Sequence, residues 1–341
     1  MANNSLVLAS NPSVITNPIA WEVQEALHDP YTEHHPNFIE GPSHEISMEE
    51  LTSNNLIPSF SDNILTISHQ KYIETTRKAA EVIFGTGNVT TAECRVSHPI
   101  IGRIPSAQNK KRADLTPEEQ TIFFQRLAWI AHITTMSTSI NGQQVSLTIG
   151  GTRSYHEDKL YAKQNPQHFR IFIGFRVRVC SNMMLTCDGV SEKMLCMTEA
   201  DIFQHAFNLF QRFNEVKEST LYKLEALNNV WLTQEQFCKI IGRLRLYQAL
   251  PNQQQKALPQ ILLGDSVVNS ATKQYITNPN FGMGNGDGSI SCWQLMQLLN
   301  EAVKNSYSDL WIERNANCTS FATGIANAIN GTDDSYGWFL N

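Results

Sequence analysis

Arg170, Phe172, Arg176 and Arg178 fall on even-numbered positions of one short stretch, and their types and spacing suggest anion chemistry. Alternate side chains of a strand point to the same face, so these four would stand in a row with a repeat of roughly 6.5–7 Å. Guanidinium groups at that repeat suit the phosphates of an extended nucleic-acid backbone, and an aromatic ring among them can stack on a base. The odd-numbered positions Phe169, Ile171, Ile173, Phe175, Val177 and Val179 are all apolar. Period-two alternation of this length predicts a half-buried strand within residues 168–185, apolar row inward and arginine row outward. The plainer reading of the same arginines is a solvated face, or partners for carboxylates of later helices.

Other constellations carry less. Glu157-Asp158-Lys159 has the Glu-x-Lys spacing of some metal-dependent nucleases, but no aspartate on a clear preceding strand completes the ligand set. Asn285-Gly-Asp287-Gly-Ser-Ile290 resembles the middle of a calcium loop. In that register Met283 and Gln294 take the first and last ligand positions, where carboxylates are needed, so the stretch reads as a Gly-rich turn. His132 sits in an apolar run and reads as a hydrogen-bonded core residue. His156 and Glu157 lack the spacing of a helical zinc pair. Seven cysteines include no Cys-x-x-Cys pair, which argues against a zinc site or a disulfide framework. No nucleophile elbow, Walker loop or dinucleotide fingerprint is found, and no cofactor is expected.

The elements that must position the arginine row follow from periodicity and caps. Residues 1–44 are polar, contain Pro12, Pro18, Pro30, Pro36 and Pro42, and read as an extended or disordered acidic tail. Ser47 and Ser68 open helices, the second running from His69 to Phe84 and ending at Gly85. A strand is expected over Val89–Ser97, then an extended turn to Pro105. Thr116-Pro117-Glu118-Glu119 predicts a helix start, with Ile122, Phe123 and Leu127 inward. Asn141-Gly142 predicts a type I′ hairpin whose second strand buries Val145, Leu147 and Ile149, with Gly150-Gly151 bending or bulging it. A second hairpin is expected at Asp188-Gly189. From Thr198 onward the spacing turns helical, first over a long amphipathic helix to about Leu227, then from Thr233, Ser291 and Asp309. The expected fold is α+β: an antiparallel or mixed sheet body over 45–197, with a helical C-terminal part, 198–341, packed on it as one cooperative domain.

Charge is unevenly divided. The chain carries −6 overall, but residues 1–94 hold 3 basic against 12 acidic side chains, residues 95–178 hold 12 against 5, and residues 179–341 hold 11 against 15. A positive middle points to a polyanion, or to a basic surface that the acidic tail masks. No apolar run approaches membrane-span length and the N-terminus lacks a basic secretory leader, so a cytoplasmic protein without membrane contact is expected.

Several segments resemble a domain-of-unknown-function family found on phages, plasmids and conjugative elements of gut-type bacteria. They are Leu65-Thr-Ile-Ser-His-Gln-Lys-Tyr-Ile-Glu74, Arg95-Val-Ser-His-Pro-Ile-Ile-Gly-Arg103, Leu147-Thr-Ile-Gly-Gly151 with Tyr155, and residues 168–182. Ile241-Gly-Arg-Leu-Arg-Leu-Tyr-Gln-Ala-Leu-Pro251 and Gly337-Trp-Phe-Leu-Asn341 extend the likeness to the C-terminus. Phe175-Arg-Val-Arg-Val-Cys-Ser-Asn182 also resembles a broader phage/plasmid-like group. The resemblance implies mobile-element biology and brings no catalytic residue set.

The leading expectation is a non-enzymatic mobile-element protein that binds nucleic acid, single-stranded DNA above all. Arg170, Phe172, Arg176 and Arg178 would form the interface, and Lys110, Lys111, Arg112 and Arg153 would add phosphate contacts. The alternatives are a protein-interaction or host-defence-countering module, and a metal-dependent nuclease using Glu157 and Asp158. Oligomeric state is left open.

Overall fold

A computed structural model describes residues 36–53, 66–158, 166–191 and 193–341. In chain order its strands are β1 (His44–Ile46), β2 (Glu93–Val96), β3 (Ile100–Arg103), β4 (Gln120–Phe124), β5 (Arg126–Ile140), β6 (Gln143–Ser154), β7 (Gln167–Val177), β8 (Met183–Met184), β9 (Met194–Cys196), β10 (Trp231–Leu232) and β11 (Ile290–Ser291). The helices are α1 (Met48–Ser53), α2 (His69–Phe84), α3 (Glu199–Ala226), α4 (Gln234–Ala249), α5 (Asn252–Gln255), α6 (Asp265–Thr277), α7 (Cys292–Val303) and α8 (Ser308–Asn330). One antiparallel sheet runs β1-β2-β5-β6-β7-β8, and β9 also pairs with β7. The α+β reading holds.

The β5–β6 hairpin is built by its turn. Asn141 and Gly142 take positive φ values of 50° and 74°, as a type I′ turn requires, and this backbone twist matches that of the flanking strands. Val145, Leu147 and Ile149 then fall on one buried face with Phe169, Ile171, Ile173 and Phe175 of β7. Gly150 and Gly151 do not bulge: they pair in register with Ile130 and Trp129, and the register shift lies instead between His132 and Ser137. Their bareness serves close approach. A β-carbon at Gly151 would lie 1.9 Å from the Tyr72 Oη, which donates to the Arg170 carbonyl at 2.5 Å across the sheet.

The sheet is covered on both faces. Ser68 caps α2 as its spacing predicts, and Tyr72 of α2 sets its ring at 4.9 Å from Phe169 and 5.9 Å from Trp129. Thr198 caps α3 through a capping box, so Ile202, Ala206, Leu209, Phe210 and Phe213 bury at helical spacing. These side chains make one core with the odd-numbered row of β7. The opposite face packs Ala128, Ile130, Phe172, Met183 and Leu185 against Trp311, Ile312 and Ala316 of α8, with Phe38 and Ile39 closing the end. Helices α4, α6 and α7 extend the first core.

Three expectations are corrected. Thr116 and Glu119 do form the capping box, but only one 3-10 turn, Pro117–Glu119, follows before the β-prone run Gln120–Phe124 pairs with β3 as a separate ribbon. The chain then continues as one long strand, Arg126–Ile140. Asp188-Gly189 does not close a hairpin, because β8 and β9 each pair with β7 and not with each other. The tail ends earlier than residue 44: Phe38 and Ile39 are buried, Asn37 Oδ1 accepts from Arg95 at 2.8 Å, and β1 pairs with β2. Hydrophobic anchoring there outweighs the polar, proline-containing composition. Residues 1–35 lie outside the described residues.

Candidate nucleic-acid interface

β7 is an inner strand, flanked by β6 on one side and by β8 and β9 on the other. Its even-numbered face, expected to be open, is covered by α8 at Phe172 and Arg170 and closed by Glu93, His132 and Ser181 at Arg176. Phe172 is fully buried, edge-on to Trp311 with ring centroids 5.6 Å apart. Arg170 sits 3.0 Å from Glu313 and 3.8 Å from Glu157, and donates to the Asp309 carbonyl at 3.1 Å. Arg176 is 3% exposed. Arg178 is half-buried in the turn after β7, where its backbone N–H donates to Gln144 O at 2.9 Å. Arg153, also 3% exposed, donates to the Ile67 carbonyl, to Gln167 Oε1 at 2.7 Å and to Asp158 Oδ2 at 3.1 Å, and lies 4.5 Å from the ring centres of Tyr155 and Phe169. Alternation tells which residues share a face; it does not tell whether that face meets water. The proposed row Arg170, Phe172, Arg176 and Arg178, with Arg153, is therefore no open phosphate-binding surface.

Around Arg176 the polar residues form a connected seam. Its Nη1 lies 2.8 Å from Glu93 Oε1 and 2.6 Å from His132 Nε2, and its Nη2 donates to Ser181 Oγ at 2.8 Å. A guanidinium cannot accept a hydrogen bond, so His132 presents the Nε2 lone pair and its proton sits on Nδ1. That N–H donates to Thr148 Oγ1 at 2.8 Å, and the threonine hydroxyl donates in turn to Ser146 O at 3.3 Å. Further along, Asn182 Nδ2 donates to the Gln297 carbonyl and to its Oε1, both at 3.1 Å, while buried Lys304 donates to Cys180 O and to Glu301 Oε2. The seam ties the turn after β7 to α7. The core reading of His132 fits this placement. Glu93, Lys304 and the amides of α7 carry no local sequence signal that would have joined them to Arg176.

Titration follows from this burial. Burial pushes the Glu93 carboxyl up, but His132, whose Nε2 lies 3.2 Å from Glu93 Oε1 and donates to it once the ring is protonated, and the Arg176 charge outweigh it and hold it at about 2. Burial lowers His132, reinforced by Arg176 and opposed by Glu93; burial and the Arg153 charge lower His69 well below the usual imidazole range. In each case the unfolded chain binds more protons between the two pKa values, so stability is full above the unfolded value and falls as pH drops. Two acid phases are expected in the melting temperature, one beginning near pH 6.5 from the imidazoles and one between about 4.5 and 2 from Glu93. Thermal melts of wild type and His132→Gln from pH 8 to 3 check this: the variant should lose part of the first phase and show a smaller second phase, because Glu93 then keeps only the Arg176 contact.

Neither Glu157 nor Asp158 is free to hold a metal. Glu157 Oε1 lies 3.0 Å from Lys193 Nζ, and Asp158 accepts from Arg153 and from the His168 backbone N–H at 2.8 Å. Among the described residues no cluster of three or more His, Cys, Asp or Glu is placed to hold an ion. A cleft of about 1230 Å³ between α3 and residues 187–195 is lined by Lys193, His205 and Arg212 but also by Asp188 and Glu215, so it does not select an anion.

The remaining basic residues lie on the β3–β4 ribbon. Ser97 N–H donates to Arg126 O at 2.9 Å, so the ribbon continues the β2–β5 pairing outside the main sheet. Lys110, Lys111 and Arg112 are exposed in the connection between its strands. Lys110 pairs with Glu119; among the described residues Lys111 and Arg112 make no ion pair.

A family model described as "Domain of unknown function, B. Theta Gene description (DUF3871)" matches residues 23–340. The chain belongs to this family. The DUF3871 match takes in the ribbon, the sheet and the C-terminal helices as one stretch, so the helices that cover β7 belong to the same family unit as β7 itself. Comparison with curated proteins and with solved structures gives no match. Among the described residues no helix is long and apolar enough to cross a membrane.

Proposed function

We propose that this DUF3871 protein is a cytoplasmic, non-enzymatic accessory of a mobile genetic element that binds nucleic acid, single strands favoured, through the ribbon. The observation that carries the reading is the pair of exposed cations Lys111 and Arg112 at the tip of the ribbon, which form no ion pair among the described residues, with Lys110 beside them, in the one segment of positive charge balance. The buried arginines of β7 hold the fold and contribute to binding only by supporting that frame. The mobile-element context is supported by the segments that resemble phage, plasmid and conjugative-element proteins.

Two cations offered to a backbone give weak, non-specific affinity, in the range of about 10⁻⁶ to 10⁻⁴ M at physiological salt. Replacing both Lys111 and Arg112 by Ala is expected to reduce the slope of log K against log salt by about 1.4 on single strands. Anisotropy titrations of a labelled oligonucleotide at several salt concentrations check it. No binding by the wild-type chain, or an unchanged slope in the double variant, would overturn the reading.

A further inference from the structure

The base of the ribbon holds an arrangement that the charge pattern did not reveal. Arg126, the first residue of β5, places its guanidinium carbon 4.8 Å from the ring centre of Phe124 and 4.7 Å from that of Tyr307. The cation is thus sandwiched between a ring of the ribbon and a ring from the turn before α8. Its Nε also lies 3.1 Å from Asp309 Oδ2, which fixes it from the side. Tyr307 nevertheless leaves 50% of its surface exposed, and Ile100, paired with Phe124 across the ribbon, is 54% exposed.

We infer that the outer face of Tyr307 is a stacking seat for one unpaired base of a strand whose phosphates run along the ribbon. This rests on the nucleic-acid reading above and deepens it by naming an unpaired base as the group recognised. A ring clamped on one face by a guanidinium is already ordered, so stacking a base on its other face costs little further side-chain freedom. Base–aromatic stacking does not depend on base identity, which suits a sequence-tolerant binder. The seat also accounts for strand preference, because a paired base inside a duplex does not offer its face. The paired part of the ribbon is four residue pairs long, roughly 13 Å, and the cations lie beyond its far end, so the strand that tracks it is several nucleotides long. Tyr307 opens α8 with φ −59° and ψ 146°, and its carbonyl accepts from Leu310 N–H at 3.0 Å; the ring is therefore held on a fixed backbone.

The test uses the full chain with labelled oligo(dT) and a duplex of equal length. Tyr307→Ala should weaken single-strand binding about 10-fold or more, leave the salt slope unchanged because no phosphate contact is lost, and leave duplex binding as in wild type. Tyr307→Trp should restore affinity and, on adding oligo(dT), show stronger fluorescence quenching than the wild-type chain. Near-ultraviolet circular dichroism confirms that the variants fold. If Tyr307→Ala binds oligo(dT) as tightly as wild type while the Lys111/Arg112 double variant has lost affinity, the seat is wrong and the ribbon reading stands. Should the Trp variant bind without added quenching, the seat is likewise overturned; absence of binding by wild type overturns both.

Discussion

Phe172→Ala is expected to destabilise the protein by about 4 kcal/mol, seen in urea as a lower midpoint with an unchanged slope. The ring is fully buried, lies edge-on to Trp311, and occupies the space above Gly150, where an added β-carbon would come within 2.5 Å of it. Removing the ring opens a cavity bounded by backbone on one side and by the Trp311 indole on the other, neither of which can collapse easily. Had Phe172 been a stacking residue on an open face, the same change would cost less than about 0.5 kcal/mol and would act on ligand affinity instead. The two outcomes are an order of magnitude apart, so one denaturation curve separates them.

Arg176→Ala should cost about 3 kcal/mol. It leaves the Glu93 carboxylate without its cation, His132 Nε2 without a donor and Ser181 Oγ without a partner, all beside the turn that meets α7. Because the Glu93 side chain is 41% exposed, water relieves part of the penalty, and Glu93→Gln alone should cost less, about 1 kcal/mol. Arg176→Lys recovers only part of the loss, since one ammonium cannot span Glu93, His132 and Ser181 at once. A change smaller than about 0.5 kcal/mol on Arg176→Ala would mean that the seam carries no stability.

The sequence disclosed the elements of this fold better than their neighbours. Caps were legible because they are local: Ser68, Thr198, Thr233 and Ser291 each accept the backbone bond that their spacing implied. The β5–β6 hairpin was legible for the same reason, through Asn141-Gly142. What failed was information held by distant partners. The helix expected after Pro117 lost to pairing with β3, and the arginine face of β7 is closed by side chains more than a hundred residues away, Trp311 and Glu313 among them. Nothing in residues 168–185 records that cover. Tyr307 was missed likewise, since Phe124 and Arg126 precede it by about 180 positions and only the folded chain brings the two rings and the guanidinium together.

The two-sided cover of β7 has a consequence during synthesis. The strand is complete at Val177, but the Trp311 and Ile312 that shield its second face are made over 130 residues later, about 10 s at ordinary elongation rates. Through that interval Ala128, Ile130, Phe172, Met183 and Leu185 form an apolar surface on a sheet whose first face can already fold onto α2. A nascent chain in this state exposes one apolar sheet face until α8 is made, and it is open to association through that face for the whole interval.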